Sequence, residues 1–313
     1  MKVFALAGGV GGAKLAAGLQ DTLQGGDFTV VVNTADDFDL WGLRICPDLD
    51  TVMYTLADLA NPETGWGVIG ESFGALGMLA RYGEDPWFKL GDRDLATHVL
   101  RTARLRAGET LTRITTYLAG ALGVSGVILP MCDERVATVL DTPDGPLEFQ
   151  EYFVRRSQRD EVLGVELRGI EDARPTGAVL EGLAAADLVV FCPSNPVVSI
   201  GPILAVPGMR ESLAASRAPK IAVSPIVGGR ALKGPADRML ASLGHEVSAT
   251  GVARMYRGLV EGMVVDGADE AERSEIEALG MRVLVTDAIM RDAPDRARLA
   301  REVLEFGGGP VAR

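Results

Sequence analysis

The sequence predicts an α/β fold: a Rossmann-like parallel sheet flanked by helices, with a β-hairpin insertion. Three observations predict it. First, an apolar run, Lys2 to Ala7, ends in Gly8-Gly9-Val10-Gly11-Gly12 and leads through a helical pattern into a second apolar run, the opening of a parallel α/β sheet. Second, short β-rich runs and helical patterns alternate through the second half of the chain. Third, Pro143-Asp144-Gly145, a strong turn signal, lies between two strand-like stretches.

Taken in order, Ala13 to Leu23 reads as a helix because Leu15, Leu19 and Leu23 share one stripe. Phe28 to Val32 is a buried strand that ends in Asn33-Thr34-Ala35-Asp36-Asp37. Helical patterns follow over Leu49 to Leu59, Phe73 to Arg81, Asp92 to Ala107 and Leu111 to Leu122. Val127 to Leu129 is the next strand, and Val136 to Leu140 and Leu147 to Phe153 flank the proline turn. Leu188 to Phe191, Ile221 to Val223, Met263 to Val265 and Val283 to Val285 complete the strands. With no repeat or long linker, residues 1–313 are expected to form a single α/β domain, and residues 131–169 a hairpin insertion within it.

Composition bounds the partners. Hydrophobic residues are 47% and charged residues 24% of 313, the balance of an ordinary globular enzyme. The net charge of −12 repels phosphate backbones, so nucleic acid and anionic membranes are not expected partners. Small anions are another matter, since a pocket of backbone amides and metal overrides the global field. Cys46, Cys132 and Cys192 lie far apart, form no CxxC pattern and fit a reducing cytoplasm. His98 and His245 are the only histidines, so a zinc site or a serine–histidine triad has few parts to draw on. The Val3 to Ala7 run is far shorter than the roughly 18 apolar residues of a membrane span.

Several loops are placed for chemistry. The turn at Gly9, Val10, Gly11 and Gly12, followed by Lys14, sits between a strand and a helix, where backbone amides and the helix dipole favour a phosphate. It matches neither GxGxxG nor the P-loop, because Lys14 stands where a third glycine belongs and Leu15 where the P-loop has Ser or Thr. Asn33, Asp36 and Asp37, at the end of the second strand, should face the same crevice. In Pro47-Asp48-Leu49-Asp50-Thr51 one aspartate can cap the next helix. Asp48 and Asp50 with Asp36 and Asp37 also make a hard-oxygen set suited to Mg²⁺. Lys89 and Arg93 flank a helix start, where cations are disfavoured unless an anion binds. His98, in that helix, reads as a structural hydrogen-bonding residue. Ser194, Asn195 and Ser199 follow a buried strand in a proline-stiffened loop and offer uncharged hydrogen bonds to a ligand. Ser224-Pro225-Ile226-Val227-Gly228-Gly229 repeats that logic one strand later.

Together GGVGGAK (8–14), NTADD (33–37), GLRICPDLDT (42–51), GDRDLATH (91–98), PSNPVVSIGPIL (193–204) and SPIVGG (224–229) resemble one family. It is the 2-phospho-L-lactate transferases of coenzyme F-420 biosynthesis, called phosphoenolpyruvate transferases in many bacteria. The motifs keep the family's order over about residues 1–260. The resemblance implies a Mg²⁺-dependent cytoplasmic enzyme that acts on small molecules and assembles as a homodimer. It implies transfer of a phospholactyl or phosphoenolpyruvyl group from a guanosine diphosphate donor to the ribityl hydroxyl of 7,8-didemethyl-8-hydroxy-5-deazariboflavin, releasing GMP. Carried over by position, Asp50 contacts the deazaflavin and acts in catalysis, and Lys89 or Arg93 holds the deazaflavin or phosphates. Asp36, Asp37 and Asp48 are metal ligands or helpers, and Ser194, Asn195 and Ser199 contact the guanosine diphosphate.

Two other readings compete. A nucleotide-sugar-binding regulator of the gluconeogenesis-factor type shares a glycine loop and an Asn-Pro loop but lacks the PDLDT and GDRD pairing found here. A nicotinamide-dependent dehydrogenase is disfavoured by the broken dinucleotide fingerprint.

Overall fold

Strand and helix alternate along nearly the whole chain, and the computed structural model describes residues 1–23 and 26–308. The first half runs β1 (Val3–Ala7), α1 (Gly9–Thr22), β2 (Phe28–Val32), a hairpin of β3 (Phe38–Leu40) and β4 (Leu43–Ile45), then α2 (Pro47–Leu56). Helices α3 (Gly74–Arg81), α4 (Asp92–Arg106) and α5 (Leu111–Ala121) lead to β5 (Val127–Pro130). Strands β6 (Ala137–Thr142), β7 (Gly145–Glu148) and β8 (Gly164–Arg168) come next, then α6 (Gly177–Ala184) and β9 (Leu188–Phe191). Helices α7 (Ile200–Ala205) and α8 (Met209–Ala215) precede β10 (Lys220–Val223) and a two-stranded ribbon of β11 (Ile226–Val227) and β12 (Arg230–Ala231). The chain closes with α9 (Ala236–Ser242), α10 (Ala249–Met255), β13 (Gly262–Asp266), α11 (Arg273–Ala278), β14 (Arg282–Thr286) and α12 (Ala293–Phe306).

Seven strands form one sheet in the order β14-β13-β10-β9-β1-β2-β5, and every pairing in it is parallel. The period of two along each strand sorts side chains to opposite faces. Phe4, Leu6, Val31, Phe191, Ala222 and Met263 enter a core covered by α6 to α11. Ala5, Ala7, Val30, Val32, Val190 and Val264 enter the other, covered by α1, α2, α5 and α12. Both faces are therefore dry, which is why the strands read as continuous apolar runs. The expected sheet flanked by helices is what the chain forms.

Local differences from the sequence reading have physical causes. Helix α1 begins at Gly9 and not at Ala13, because the Asp48 carboxylate accepts the Gly9 amide at 2.8 Å and starts the helix inside the glycine turn. Residues 131–169 hold three antiparallel strands in the order β7-β6-β8, one more than a hairpin. The stretch expected to be strand through Phe153 stops at Glu148 and winds into a π-helical turn over Glu151–Arg155. There Phe149 and Phe153 stack at 5.5 Å, a contact between residues four apart that an extended strand cannot make. The β3–β4 hairpin was not expected. Trp41 and Gly42 both have positive φ, the two-residue turn that suits right-twisted strands.

Candidate active site

In open parallel sheets, ligands bind beyond the carboxyl ends of the strands, where the strand order reverses. Here that point lies between β1 and β9, since β2 and β5 extend the sheet to one side and β10, β13 and β14 to the other. Three loops meet there: Gly8–Gly12 after β1, 33–37 after β2, and 193–199 after β9. The glycines allow the meeting. A Cβ on Gly11 would run into the Pro193 carbonyl, and one on Gly12 into the Ser194 hydroxyl. The Gly8 amide donates to Ser194 Oγ at 3.0 Å and the Gly9 amide to Asp48. Helix geometry leaves the Val10 and Gly11 amides without an intrahelical acceptor, so they remain open to an anion.

Asn33 ties the loops together. It is fully buried, and its amide nitrogen donates to Asp36 Oδ2 at 3.1 Å, Asp48 Oδ2 at 3.0 Å and the Val198 carbonyl at 3.1 Å. Its oxygen accepts the Ala35 amide at 3.0 Å. Asn33 thus organises the site from beneath, and its side chain is committed to protein partners.

Three carboxylates crowd this junction. Burial pushes Asp36 well above the usual carboxylate range, and nearby Asp48 adds to the effect. Burial likewise raises Asp48, and it pushes Asp37 up to about 8. One oxygen each of Asp36 and Asp37 lacks an aligned hydrogen bond among the described residues, though the Thr138 hydroxyl lies near Asp36 and the Cys46 thiol near Asp37. Arg101 and Arg44 ease the charge of Asp37, but no cation offsets Asp36 or Asp48 among the described residues. Buried carboxylates so crowded need protons or a metal. Hard oxygen donors with free lone pairs fit a divalent cation such as Mg²⁺.

Asp50 lies two residues further along α2, on the other side of the helix, and is held differently. Arg101 grips both of its oxygens, Nη1 reaching Oδ2 at 3.0 Å and Nη2 reaching Oδ1. Phe38 and Ile45 of the β3–β4 hairpin pack with Leu90, Trp87 and Phe88 into a small, largely aromatic cluster. Lys89, within that segment, is exposed and makes no ion pair among the described residues. Arg93 donates to the Ile69 carbonyl at 2.6 Å.

The chain matches the family model described as 2-phospho-L-lactate transferase CofD over residues 3–298. It belongs to the CofD family. It is 46% identical to the phosphoenolpyruvate transferase of Streptomyces griseus subsp. griseus over 312 residues, 98% of each chain. It is 40% identical to the 2-phospho-L-lactate transferase of Methanosarcina acetivorans over 301 residues, 96% of each. A crystal structure of a UPF0052-family protein from Bacillus halodurans covers 97% of this chain and 98% of its own, with a TM-score of 0.67 and 17% identity. That last likeness shows the fold alone.

On this CofD-family scaffold the predicted residues separate into groups. The glycine turn, Asn33, Asp36, Asp48, Ser194 and Ser199 converge, since a Cβ on Gly8 would touch both Asp48 and Ser199. Two expected donor contacts have other work. Lys14 donates to the Met290 carbonyl at 2.6 Å, joining α1 to the segment before α12. Asn195 turns its own loop, its oxygen accepting the Val197 amide at 2.9 Å. Sequence reasoning did not single out Arg101, Tyr54 and Asp94, which are all buried. Their signal was present: Asp94, His98 and Arg101 repeat at helical spacing, a polar stripe on the face where α4 meets the protein. The sequence predicts a helix over Phe73 to Arg81 but assigns no role to the segment from Trp66 to Tyr82, which exposes Trp66, Ile69, Phe73, Met78 and Tyr82. It passes close to the site, because a Cβ on Gly65 would lie 3.2 Å from Val10.

Proposed function

We propose that this CofD-family protein transfers a phospholactyl or phosphoenolpyruvyl group from a guanosine diphosphate donor to the ribityl hydroxyl of a deazaflavin, releasing GMP. The observation that carries this reading is the junction of open α1 amides and crowded, buried carboxylates at the switch point of the sheet. The hydroxyl oxygen attacks the phosphorus that bears the three-carbon acid, and the bond from that phosphorus to the bridging oxygen breaks. The bridging oxygen leaves with the GMP phosphate, and the hydroxyl proton is given up, giving a phosphodiester.

Such a transfer needs alignment and charge neutralisation more than an unusual nucleophile. The Val10 and Gly11 amides and the α1 dipole would receive the diphosphate. Ser194 and Ser199 line the same junction and contact the donor. A divalent cation, Mg²⁺ in this reading, would be held by Asp36 and Asp48, with Asp37 beside them, and would neutralise charge gathering on the diphosphate. Asp50 orients the hydroxyl and accepts its proton. Lys89 and the exposed aromatic segment around Trp66 and Phe73 suit the anionic, planar acceptor. Free, buried Cys46, Cys132 and Cys192 support a cytoplasmic setting. A homodimer rests on the family resemblance alone. No helix among the described residues is long and apolar enough to cross a membrane.

The test mixes purified protein, Mg²⁺ and the deazaflavin with each guanosine diphosphate donor and looks for GMP and the phosphodiester by mass spectrometry. Product with one donor supports the reaction and names the acid. No product with any donor, from protein that binds a nucleotide sugar, would favour the regulator.

A further inference from the structure

Behind Asp50 lies a chain of buried polar groups. Arg101 is 2% exposed and grips both Asp50 oxygens. Its Nη1 also lies 3.2 Å from His98 Nδ1, and the other ring nitrogen, Nε2, lies 3.2 Å from Asp94 Oδ1. Tyr54 donates its hydroxyl to the same Asp94 oxygen at 2.8 Å. Burial works to raise Asp94, yet His98, Tyr54 and Arg101 outweigh it and hold its carboxyl below the usual range.

The direction of the chain follows from chemistry. A guanidinium has donors only, so His98 must turn the lone pair of Nδ1 toward Arg101. The ring proton then sits on Nε2, 3.2 Å from Asp94 Oδ1 but out of line for a hydrogen bond. Asp94 therefore favours that tautomer through its charge, His98 orients Arg101, and Arg101 fixes the carboxylate plane of Asp50. Asp50, Asp94 and His98 present ligand atoms within 4.8 Å of one another, which invites a metal. Arg101 already supplies the positive charge there, so the cluster is an ion-pair network.

We infer that Arg101, His98 and Asp94 are positioning residues that hold Asp50 in the orientation the transfer requires. The inference rests on the proposed role of Asp50 toward the acceptor hydroxyl. A carboxylate tethered by one flexible contact would sample several orientations, and small misplacements of a reacting group are costly. A bidentate guanidinium allows only one plane. Lysine cannot reproduce it, because its ammonium is a point charge.

The test compares Arg101→Lys and His98→Gln with the wild type, each also combined with Asp50→Asn, with folding verified by circular dichroism. We expect Arg101→Lys to lower kcat about a hundredfold and His98→Gln about tenfold, with the KM of the guanosine donor within about twofold. In the Asp50→Asn background both substitutions should cost less than about twofold, because the group they position is gone. A merely structural role would give equal losses in both backgrounds and overturn the inference. So would folded single variants with wild-type kcat while Asp50→Asn alone is impaired, and that result leaves the proposed reaction standing. Full turnover by Asp50→Asn removes the role of Asp50 and this inference with it. Absence of product from the wild type overturns the functional reading itself.

Discussion

Glu71 and Asp92 cap each other's helices. The Asp92 carboxylate accepts the Gly74 amide at 2.9 Å and the Ala75 amide at 3.0 Å, closing the start of α3. Glu71 accepts the Arg93 amide at 2.9 Å and the Asp94 amide at 2.8 Å, closing the start of α4. Gly91 makes the exchange possible, since any Cβ there would collide with the Glu71 carboxyl group. No residue of α3 is buried, so this exchange is the main tie between its exposed apolar side chains and the helix that carries Arg101.

Breaking that exchange should loosen one segment and leave the core intact. The Ser72 hydroxyl and the Ala75 and Gly74 amides hold Asp92 below the usual carboxylate range. A depressed value means its cap is complete at neutral pH and is lost as pH falls through that value. Hydrogen exchange over residues 71–95 should therefore quicken in acid, and Asp92→Asn should show the fast rate at neutral pH already. Unchanged exchange in Asp92→Asn would show that the cap contributes nothing.

The crowded, buried carboxylates make a prediction about metal and pH together. Burial raises Asp36 and Asp48 and takes Asp37 to about 8, so the fold favours their protonated forms. Metal-free protein should be most stable in mild acid and lose stability as pH climbs through these raised values. Added Mg²⁺ should raise the melting temperature more at about pH 8 than at about pH 5, because ligands must be deprotonated. Asp36→Asn should flatten both responses. A melting temperature indifferent to Mg²⁺ at either pH would argue against a cation here.

Two glycine substitutions separate packing from binding. Gly18→Ala drives a methyl group into the Arg296 backbone, where α1 crosses α12, away from the three-loop junction. Gly11→Ala drives one into the Pro193 carbonyl. Each should cost about 1–3 kcal/mol of stability by overpacking. Only Gly11→Ala should also raise the donor KM sharply, which steady-state kinetics on both variants will read.

Ser194→Ala removes the acceptor of the buried Gly8 amide. Denaturant unfolding should show a loss of about 1–3 kcal/mol, the cost of an unsatisfied buried donor. Donor affinity should fall by about tenfold if the hydroxyl also positions the β1 turn, with acceptor affinity unchanged. Equal weakening of both substrates would point to a general loosening of the site.

The sheet was legible because β1, β2, β9, β10 and β13 are buried on both faces and carry unbroken apolar runs. Strand β8 escaped notice because it is nowhere fully buried and its apolar alternation rests on Val165 and Leu167 alone, too short to stand out. The β3–β4 turn escaped because Trp41 has no turn propensity of its own, and its backbone is set by the flanking strand pairing. Within the site, the loops announced themselves through glycine, proline and aspartate. What they touch did not. That Asn33 and Lys14 serve protein partners depends on Val198 and Met290, far away in the chain. Arg101 finds Asp50 across 51 residues, a distance over which spacing says nothing about contact.

The sheet order also governs how the molecule comes into being. Strand β1 lies beside β9, and the Gly8–Ser194 bond closes a loop of 186 residues. A chain leaving the ribosome must keep one edge of β1 without its neighbour until about 180 further residues have been made. Such long-range parallel pairing is slow to form, and an unpaired apolar edge invites association with other chains. The residues of the glycine turn are thus made long before the partners they meet.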